Sequence, residues 1–165
     1  MIKRDLAVLI VSPEVVPFAK TGGLADVAGA LSSVLKGLVK DIRVALPLYL
    51  EVRGKDLPLT PVVQDIKVDI GKHNRAGAVF QTDLHEGVKV YLIENDTYYD
   101  RGALYGTPKG DYHDNAERFT FLCKAVLDLC KRINFQPNVI HCHDWQTALI
   151  PAFLKTIYKD DPFFA

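Results

Sequence analysis

Two short apolar runs with a helical segment between them narrow the fold more than any other feature of the chain. Leu6-Ala-Val-Leu-Ile-Val11 is continuous and apolar, bounded by charge on one side and Pro13 on the other. A strand without polar alternation is buried on both faces, the pattern of a parallel sheet. Leu24, Val27, Ala28, Leu31, Val34, Leu35 and Leu38 recur at helical spacing and predict a helix from about Leu24 to Leu38. Ile42-Arg-Val-Ala-Leu46, stopped by Pro47, is a second short strand. Strand, helix and strand form one βαβ unit with a right-handed crossover. The fold class is α/β.

The middle of the chain changes period. Val62-Val63, Ile66, Val68 and Ile70 alternate with polar residues, then Ala76, Ala78 and Phe80, then Val88, Val90 and Leu92. Gly71 to Gly77 and His85-Glu86-Gly87 read as turns, so this is a β-meander of three strands. Val88 to Ile93 fits a central parallel strand equally well. Glu94 to Tyr112 is long, polar and rich in tyrosine, and a loop of that length in a compact domain is usually functional or mobile. Asp114-Asn-Ala-Glu117 matches a helix N-cap with an acidic residue three positions on. Phe119, Leu122, Val126, Leu129 and Ile133 mark the inner face of the helix that follows. Val139-Ile140 is the core of a short strand, and Thr147 to Tyr158 is helix-like. The sequence ends at Ala165, where another buried strand is expected.

A chain of 165 residues with 48% hydrophobic and 24% charged residues is long and apolar enough for one folded domain. Lys+Arg and Asp+Glu both number 20, so net charge gives no argument for nucleic acid or an anionic membrane. Cys123, Cys130 and Cys142 are odd in number and form no disulfide framework, which fits buried thiols in a reducing compartment. The apolar run at Leu6 is too short for a signal peptide, and no run is long enough to span a bilayer. A cytoplasmic protein is the expectation.

Two clusters that could carry chemistry both follow strands. In an open parallel sheet, ligands bind outside the carboxyl ends of strands. Lys20-Thr21-Gly22-Gly23 follows the first strand and opens the helix. Adjacent glycines allow close approach of a ligand and unusual backbone angles. The helix start offers unpaired N–H groups and partial positive charge, to which Lys20 adds a full charge. This is not a Walker A loop, because the lysine precedes the glycines, and there is no Gly-x-Gly-x-x-Gly fingerprint. A plain surface loop explains the local pattern equally well. His141-Cys142-His143-Asp144-Trp145 follows the strand at Val139. A metal site there lacks further ligands, and a nucleophile triad lacks a serine or cysteine elbow. Hydrogen bonding by His143 or Asp144 to a neutral polar ligand stands beside the blander reading of a satisfied histidine at a strand end. Trp145 and Cys142 read as packing residues. The Asp114 and Glu117 pair reads as capping, and Arg118 could reach the rim or a surface carboxylate.

Taken in order, these residues resemble a known family. Lys20-Thr-Gly-Gly-Leu-Ala-Asp-Val27 is similar to the N-terminal signature of bacterial and archaeal glycogen synthases and plant starch synthases. Ser12-Pro-Glu14 and Pro17 before it agree, as do Gly29-Ala-Leu31 and Pro47-x-Tyr49 after it. So do Glu94-Asn-Asp96, Tyr98-Tyr-Asp-Arg101, Leu104-Tyr-Gly106, Asp111-Tyr112, Asp114-Asn-Ala-Glu-Arg-Phe119 and His141-Cys-His-Asp-Trp-Gln-Thr-Ala-Leu149. The resemblance covers nearly the whole chain. One departure is Lys40-Asp41, read as a turn position, where relatives usually carry Gly-His.

The resemblance implies a retaining GT-B glycosyltransferase with two Rossmann-like domains. It would transfer glucose from ADP-glucose or UDP-glucose to the 4-hydroxyl of an α-1,4-glucan, in glycogen biosynthesis. Residues 1–165 would be an incomplete N-terminal, acceptor-side portion: a three-layer α/β/α domain with a mostly parallel sheet and a meander insertion. The C-terminal nucleotide-sugar domain would be missing, and the chain alone inactive. Carried over by position, Lys20, Gly22 and Gly23 would meet the donor phosphates, and Asp26 would touch the nucleotide or hold the loop. Tyr105 would lie near the base. His143 would hydrogen-bond the transferred glucose as the catalytic residue, with Asp144 in contact or in support. No metal or cofactor is implied. The implied partners are the nucleotide-sugar donor, the glucan acceptor and the enzyme's own C-terminal domain, with no nucleic acid or membrane. Two further readings compete: a standalone glucan-binding module, and a dinucleotide-dependent oxidoreductase, which the missing glycine fingerprint argues against. Donor base preference and oligomeric state are not encoded in these motifs.

Overall fold

The βαβ unit opens the fold as its periodicity predicts. In this computed structural model residues 4–164 are described. β1 (Arg4–Val11) leads through a loop to α1 (Gly23–Leu38) and back to β2 (Val39–Pro47), which lies parallel to β1. After the short α2 (Leu50–Arg53) come β3 (Thr60–Ile70), β4 (His73–Leu84) and β5 (Val88–Glu94). The long polar segment holds α3 (Asp96–Tyr99) and a small hairpin of β6 (Gly106–Thr107) and β7 (Gly110–Asp111). α4 (Asn115–Arg132), β8 (Val139–Cys142) and α5 (Leu149–Lys155) complete the order.

The main sheet runs β3-β4-β5-β2-β1-β8. β5, β2, β1 and β8 are mutually parallel, while β3 and β4 join by antiparallel pairing. Both readings of Val88 to Ile93 are therefore correct: β5 ends the meander against β4 and is also a central parallel strand against β2. Val8–Val11, Val44–Leu46 and Val90–Ile93 are buried at every position, so both faces of the central sheet are covered. α1 packs on β1, β2 and β5, whereas α4 packs on β3, β2 and β5. Together these make the three-layer α/β/α arrangement. β3 alternates from Ile66 on, with Ile66 and Val68 buried and their neighbours exposed, as suits an edge strand beneath one helix, while an irregularity between Val63 and Ile66 puts two exposed residues in a row.

Three sequence readings need correction. α1 turns its small residues inward: Ala25, Ala28, Gly29 and Ser32 are buried, while Val27 and Val34 are largely exposed. The reason is close packing on the loop after β1, since a methyl at Gly29 would lie 2.6 Å from Val16 Cγ2. Lys40-Asp41 are not a turn but lie in β2, where Lys40 pairs with Asp5 at 2.8 Å. The helix-like run after Thr147 is shorter than its pattern, ending at Lys155 with turns beyond.

Cys123 and Cys130 are buried and Cys142 half-buried, and all three are free thiols. Burial pushes the Cys123 and Cys130 thiols up to about 12. Among the described residues no helix is long and apolar enough to cross a membrane.

Candidate functional site

The strand order sets the place of the site. From β1 the chain passes to β2 and then β5 on one side, and it returns to β8 on the other. β1 is thus the topological switch point, and the crevice of such a sheet opens at the carboxyl ends of the strands that flank the reversal. Val11 at the end of β1 pairs in register with Cys142 at the end of β8. The His143 N–H donates to the Val11 carbonyl at 2.9 Å, which locks the two strand ends together. The two clusters read from the sequence therefore hang from neighbouring strands.

The first cluster is the loop that opens α1. Gly22 is the helix N-cap and no side chain caps it. The first amides of such a helix have no partner within it. Gly22 is extended, with φ −149, and neither Gly22 nor Gly23 is among the positive-φ residues. Nothing lies within 4 Å of a Cβ built at either position. The expectation that these glycines serve unusual backbone angles is thus corrected. Their openness leaves room for an outside group instead. Lys20 does not stand as a free charge. Its Nζ lies 2.8 and 2.7 Å from the two Asp26 carboxylate oxygens, with both side chains about half exposed.

Glu14 underlies this loop. It is 4% exposed, and its backbone is fixed by the Ser12 hydroxyl, which donates to the Glu14 carbonyl at 2.6 Å. Its carboxylate accepts from the Thr21 N–H, from the Thr21 hydroxyl at 2.6 Å and from the Gly22 N–H at 3.2 Å. It also accepts from the Tyr105 hydroxyl at 2.8 Å. Burial alone would raise the Glu14 carboxyl, but the bonds from Thr21, Tyr105 and Gly22 outweigh it and hold the group below its ordinary value. Two of the loop amides are therefore already satisfied from within.

The second cluster is the end of β8. His143 is half-buried, and its Nε2 is buried with no hydrogen-bond partner. Burial, and then the neighbouring His141 at a ring distance of 4.5 Å, lower its basicity and favour the neutral imidazole. Asp144 sits at φ 63 and ψ 177, a region nearly closed to any residue but glycine. Its carboxylate accepts from the Trp145 N–H at 2.6 Å. Trp145 packs edge-on against Phe119 at 5.1 Å yet remains 51% exposed, so it is only partly a packing residue. Cys142 is half-buried at the strand end rather than in the core.

Tyr105 joins the clusters. Burial pushes its hydroxyl far up, and its ring lies 6.0 Å from that of Phe119, which packs on Trp145 beside Asp144. The segment carrying Tyr105 is not the loose loop its composition implies. Tyr98, Tyr99 and Leu104 are buried, and fully buried Arg118 of α4 holds the segment down. The Arg118 guanidinium donates to the Tyr98 carbonyl at 2.7 Å, the Leu104 carbonyl at 2.9 Å and Asn115 Oδ1 at 2.6 Å. Tyr99 returns a bond from its hydroxyl to the Arg118 carbonyl at 2.8 Å. Arg118 thus reaches neither the rim nor a carboxylate. The helix does begin after Asp114, but Asp114 does not cap it: its carboxylate bonds Arg101, which holds it below the ordinary range. Glu117 pairs with Arg75 at 2.8 Å instead of reaching back to the helix start.

The residues singled out from the sequence, Lys20, Gly22, Gly23, Asp26, Tyr105, His143 and Asp144, lie in the loop after β1 and the start of α1, at the end of β8 and on the tyrosine segment bonded to that loop through Glu14. Sequence reasoning missed the work of Glu14 and Arg118. The Ser12-Pro-Glu14 turn was the available signal for Glu14. Arg118 stood in the Asp114-Asn-Ala-Glu-Arg-Phe119 motif, but its burial left no signal, since an arginine in a helix is ordinarily exposed. Among the described residues no group of three or more His, Cys, Asp or Glu side chains is placed to hold a metal ion. A groove of about 480 Å³ lined by Leu6, Val8, Leu31, Leu35, Val139 and His141 lies between α1 and the β1–β8 side of the sheet.

Comparison with known proteins shows the family. The family described as starch synthase catalytic domain matches residues 7–165. Glycogen synthase 2 of Geobacter metallireducens is 49% identical over 159 residues, 96% of this chain and 33% of the relative. Glycogen synthase of Photobacterium profundum is 47% identical over 164 residues, 99% of this chain and 32% of the relative. Among solved structures, the catalytic domain of starch synthase IV from Arabidopsis thaliana, bound to ADP and acarbose, superposes with a TM-score of 0.79 at 26% identity. That match covers 94% of this chain and 31% of the plant one. The chain thus spans about a third of the length of the curated relatives it matches.

Proposed function

We propose, for a chain that belongs to the starch synthase catalytic domain family, that its switch-point rim is one jaw of a glucosyl-transfer site. The donor is ADP-glucose or UDP-glucose, and the acceptor is the 4-hydroxyl of an α-1,4-glucan. The second jaw is a nucleotide-sugar domain like that of the family's longer members, and the chain alone is expected to be inactive. The observation that carries this reading is the meeting of the Lys20-Gly22-Gly23 loop and His143-Asp144 on the locked ends of β1 and β8.

The chemistry follows from the groups on that rim. Glucosyl transfer with a nucleotide leaving group builds negative charge on the departing diphosphate. Fixed donors and positive charge aimed at developing charge lower the barrier. The α1 amides at Gly23 and Leu24, with the positive end of the helix behind them, meet the diphosphate. Lys20 adds a mobile full charge. Its half-exposed pair with Asp26 is worth at most about 1 kcal/mol, so exchanging the carboxylate for phosphate costs little. Asp26 parks the lysine until the donor arrives. Neutral His143 offers hydrogen bonding to the transferred glucose without competing charge. Asp144, held in a strained backbone, fixes the turn that presents the imidazole. Tyr105 flanks the nucleotide.

Lys20→Ala in a full-length enzyme carrying this chain tests the reading. Turnover or donor binding should fall while the melting temperature holds. If the substitution instead unfolds the protein, the loop is structural and the assignment fails.

A further inference from the structure

We propose that Glu14 is the positioning residue of the glycine loop: its carboxylate gathers four donors and thereby turns the remaining helix-start amides toward the diphosphate. This rests on reading that loop as the phosphate cradle. The four donors are the Thr21 N–H, the Thr21 hydroxyl, the Gly22 N–H and the Tyr105 hydroxyl. They come from both sides of the rim, the loop after β1 and the tyrosine segment before α4.

The burial pattern separates an inner from an outer set of groups. Glu14 is buried, whereas Thr21, Gly22 and Gly23 are exposed. A carboxylate beneath the loop takes up the inward-pointing amides, which fixes the loop's rotation about its own axis. The amides of Gly23 and Leu24, next in the chain, are left to the outside. An ionised carboxylate has about four lone-pair sites, which match the four donors. A glutamine has half that capacity and brings an NH₂ group among donors, so it cannot hold the same arrangement. Ser12, itself buried and bonded through its N–H to the Ala45 carbonyl at 3.1 Å, anchors the Glu14 backbone to the sheet. The sheet thus sets the cradle's orientation through one side chain.

The test exploits a sign. Glu14 places a negative charge beside an anion site. Removing that charge should tighten anion binding if nothing but charge matters, whereas loss of positioning weakens it. The isotopically labelled chain is titrated with inorganic pyrophosphate, and the Gly23 and Leu24 amide resonances are followed. In the native chain these amides should shift with saturation. Glu14→Gln should bind pyrophosphate about tenfold more weakly, the size expected from lost charge-assisted hydrogen bonds. Tyr105→Phe keeps the charge and removes one donor, so it should show a smaller loss in the same direction. Equal or tighter binding by Glu14→Gln overturns the proposal. If that variant does not fold, unchanged affinity in Tyr105→Phe overturns it. Absence of any pyrophosphate shift in the native chain overturns the cradle itself and this inference with it, and that failure is visible before any substitution is made.

Discussion

Removing Arg118 should cost this fold more than removing any rim residue, and the structure gives the size. The guanidinium is fully buried and makes three bonds, to the Tyr98 and Leu104 carbonyls and to Asn115 Oδ1. Hydrogen bonds to charged groups are worth about 1.5–3 kcal/mol each, roughly 5–9 kcal/mol in sum. Against this stands the lost hydration of a buried cation, several kcal/mol, which has already pulled the Arg118 basicity down. Arg118→Met regains the hydration term but strands the three acceptors. The net loss is about 3–4 kcal/mol, a large share of a stability on the order of 10 kcal/mol. In urea, with a slope of about 2 kcal/mol/M, the midpoint should fall by roughly 1.5–2 M at unchanged slope. Arg118→Lys isolates geometry from charge. One nitrogen cannot span acceptors that a planar fork reaches from three directions, so lysine should recover less than half of the loss. A midpoint change worth under about 1 kcal/mol for Met, or full recovery by Lys, would refute the reasoning.

The rim gives two further expectations. Asp144→Gly should stabilise the chain by about 1 kcal/mol in the same urea assay, because relief of a backbone at φ 63 outweighs the bond to the Trp145 amide; a loss of stability would mean that the backbone is not strained. His143 should titrate below the ordinary histidine value of about 6.5 when followed by ring-nitrogen NMR. Its folded pKa is depressed, so its contribution to stability is full above the unfolded value and is lost as pH falls toward the folded one. A midpoint at or above 6.5 would contradict the burial of the imidazole.

The parallel core was legible because its signals are local. Leu6 to Val11 is apolar at every position and Ile42 to Leu46 at every position but Arg43, and the meander alternates, so period alone assigned them. The inward face of α1 was not legible. Bulky Val27 and Val34 look like core residues, but the close approach of Val16 to Gly29 selects the small-residue stripe. The same limit applies to the site. Lys20, Gly22 and Gly23 stand out as types, and His143 by its place after a strand. What they touch depends on partners far away in sequence. Tyr105 reaches Glu14 across 91 positions, and Arg118 closes on Tyr98 and Leu104. Asp114 and Glu117 show the converse: a capping pattern was present, but Arg101 and Arg75 offered stronger, charged partners.

The open space at Gly22 and Gly23 separates two kinds of constraint that usually overlap. A glycine is held in place by the fold where a neighbour crowds its Cβ position, as Val16 does at Gly29, or where the backbone is left-handed, as at Gly71. Here a methyl group would meet nothing, and the Gly22 backbone is one that alanine adopts. Neither crowding nor backbone angle demands glycine at these positions, although Gly22 is a better N-cap than alanine and Gly23 a poorer helix residue. On the proposed reading, the demand for glycine here comes from the diphosphate that would rest against the loop.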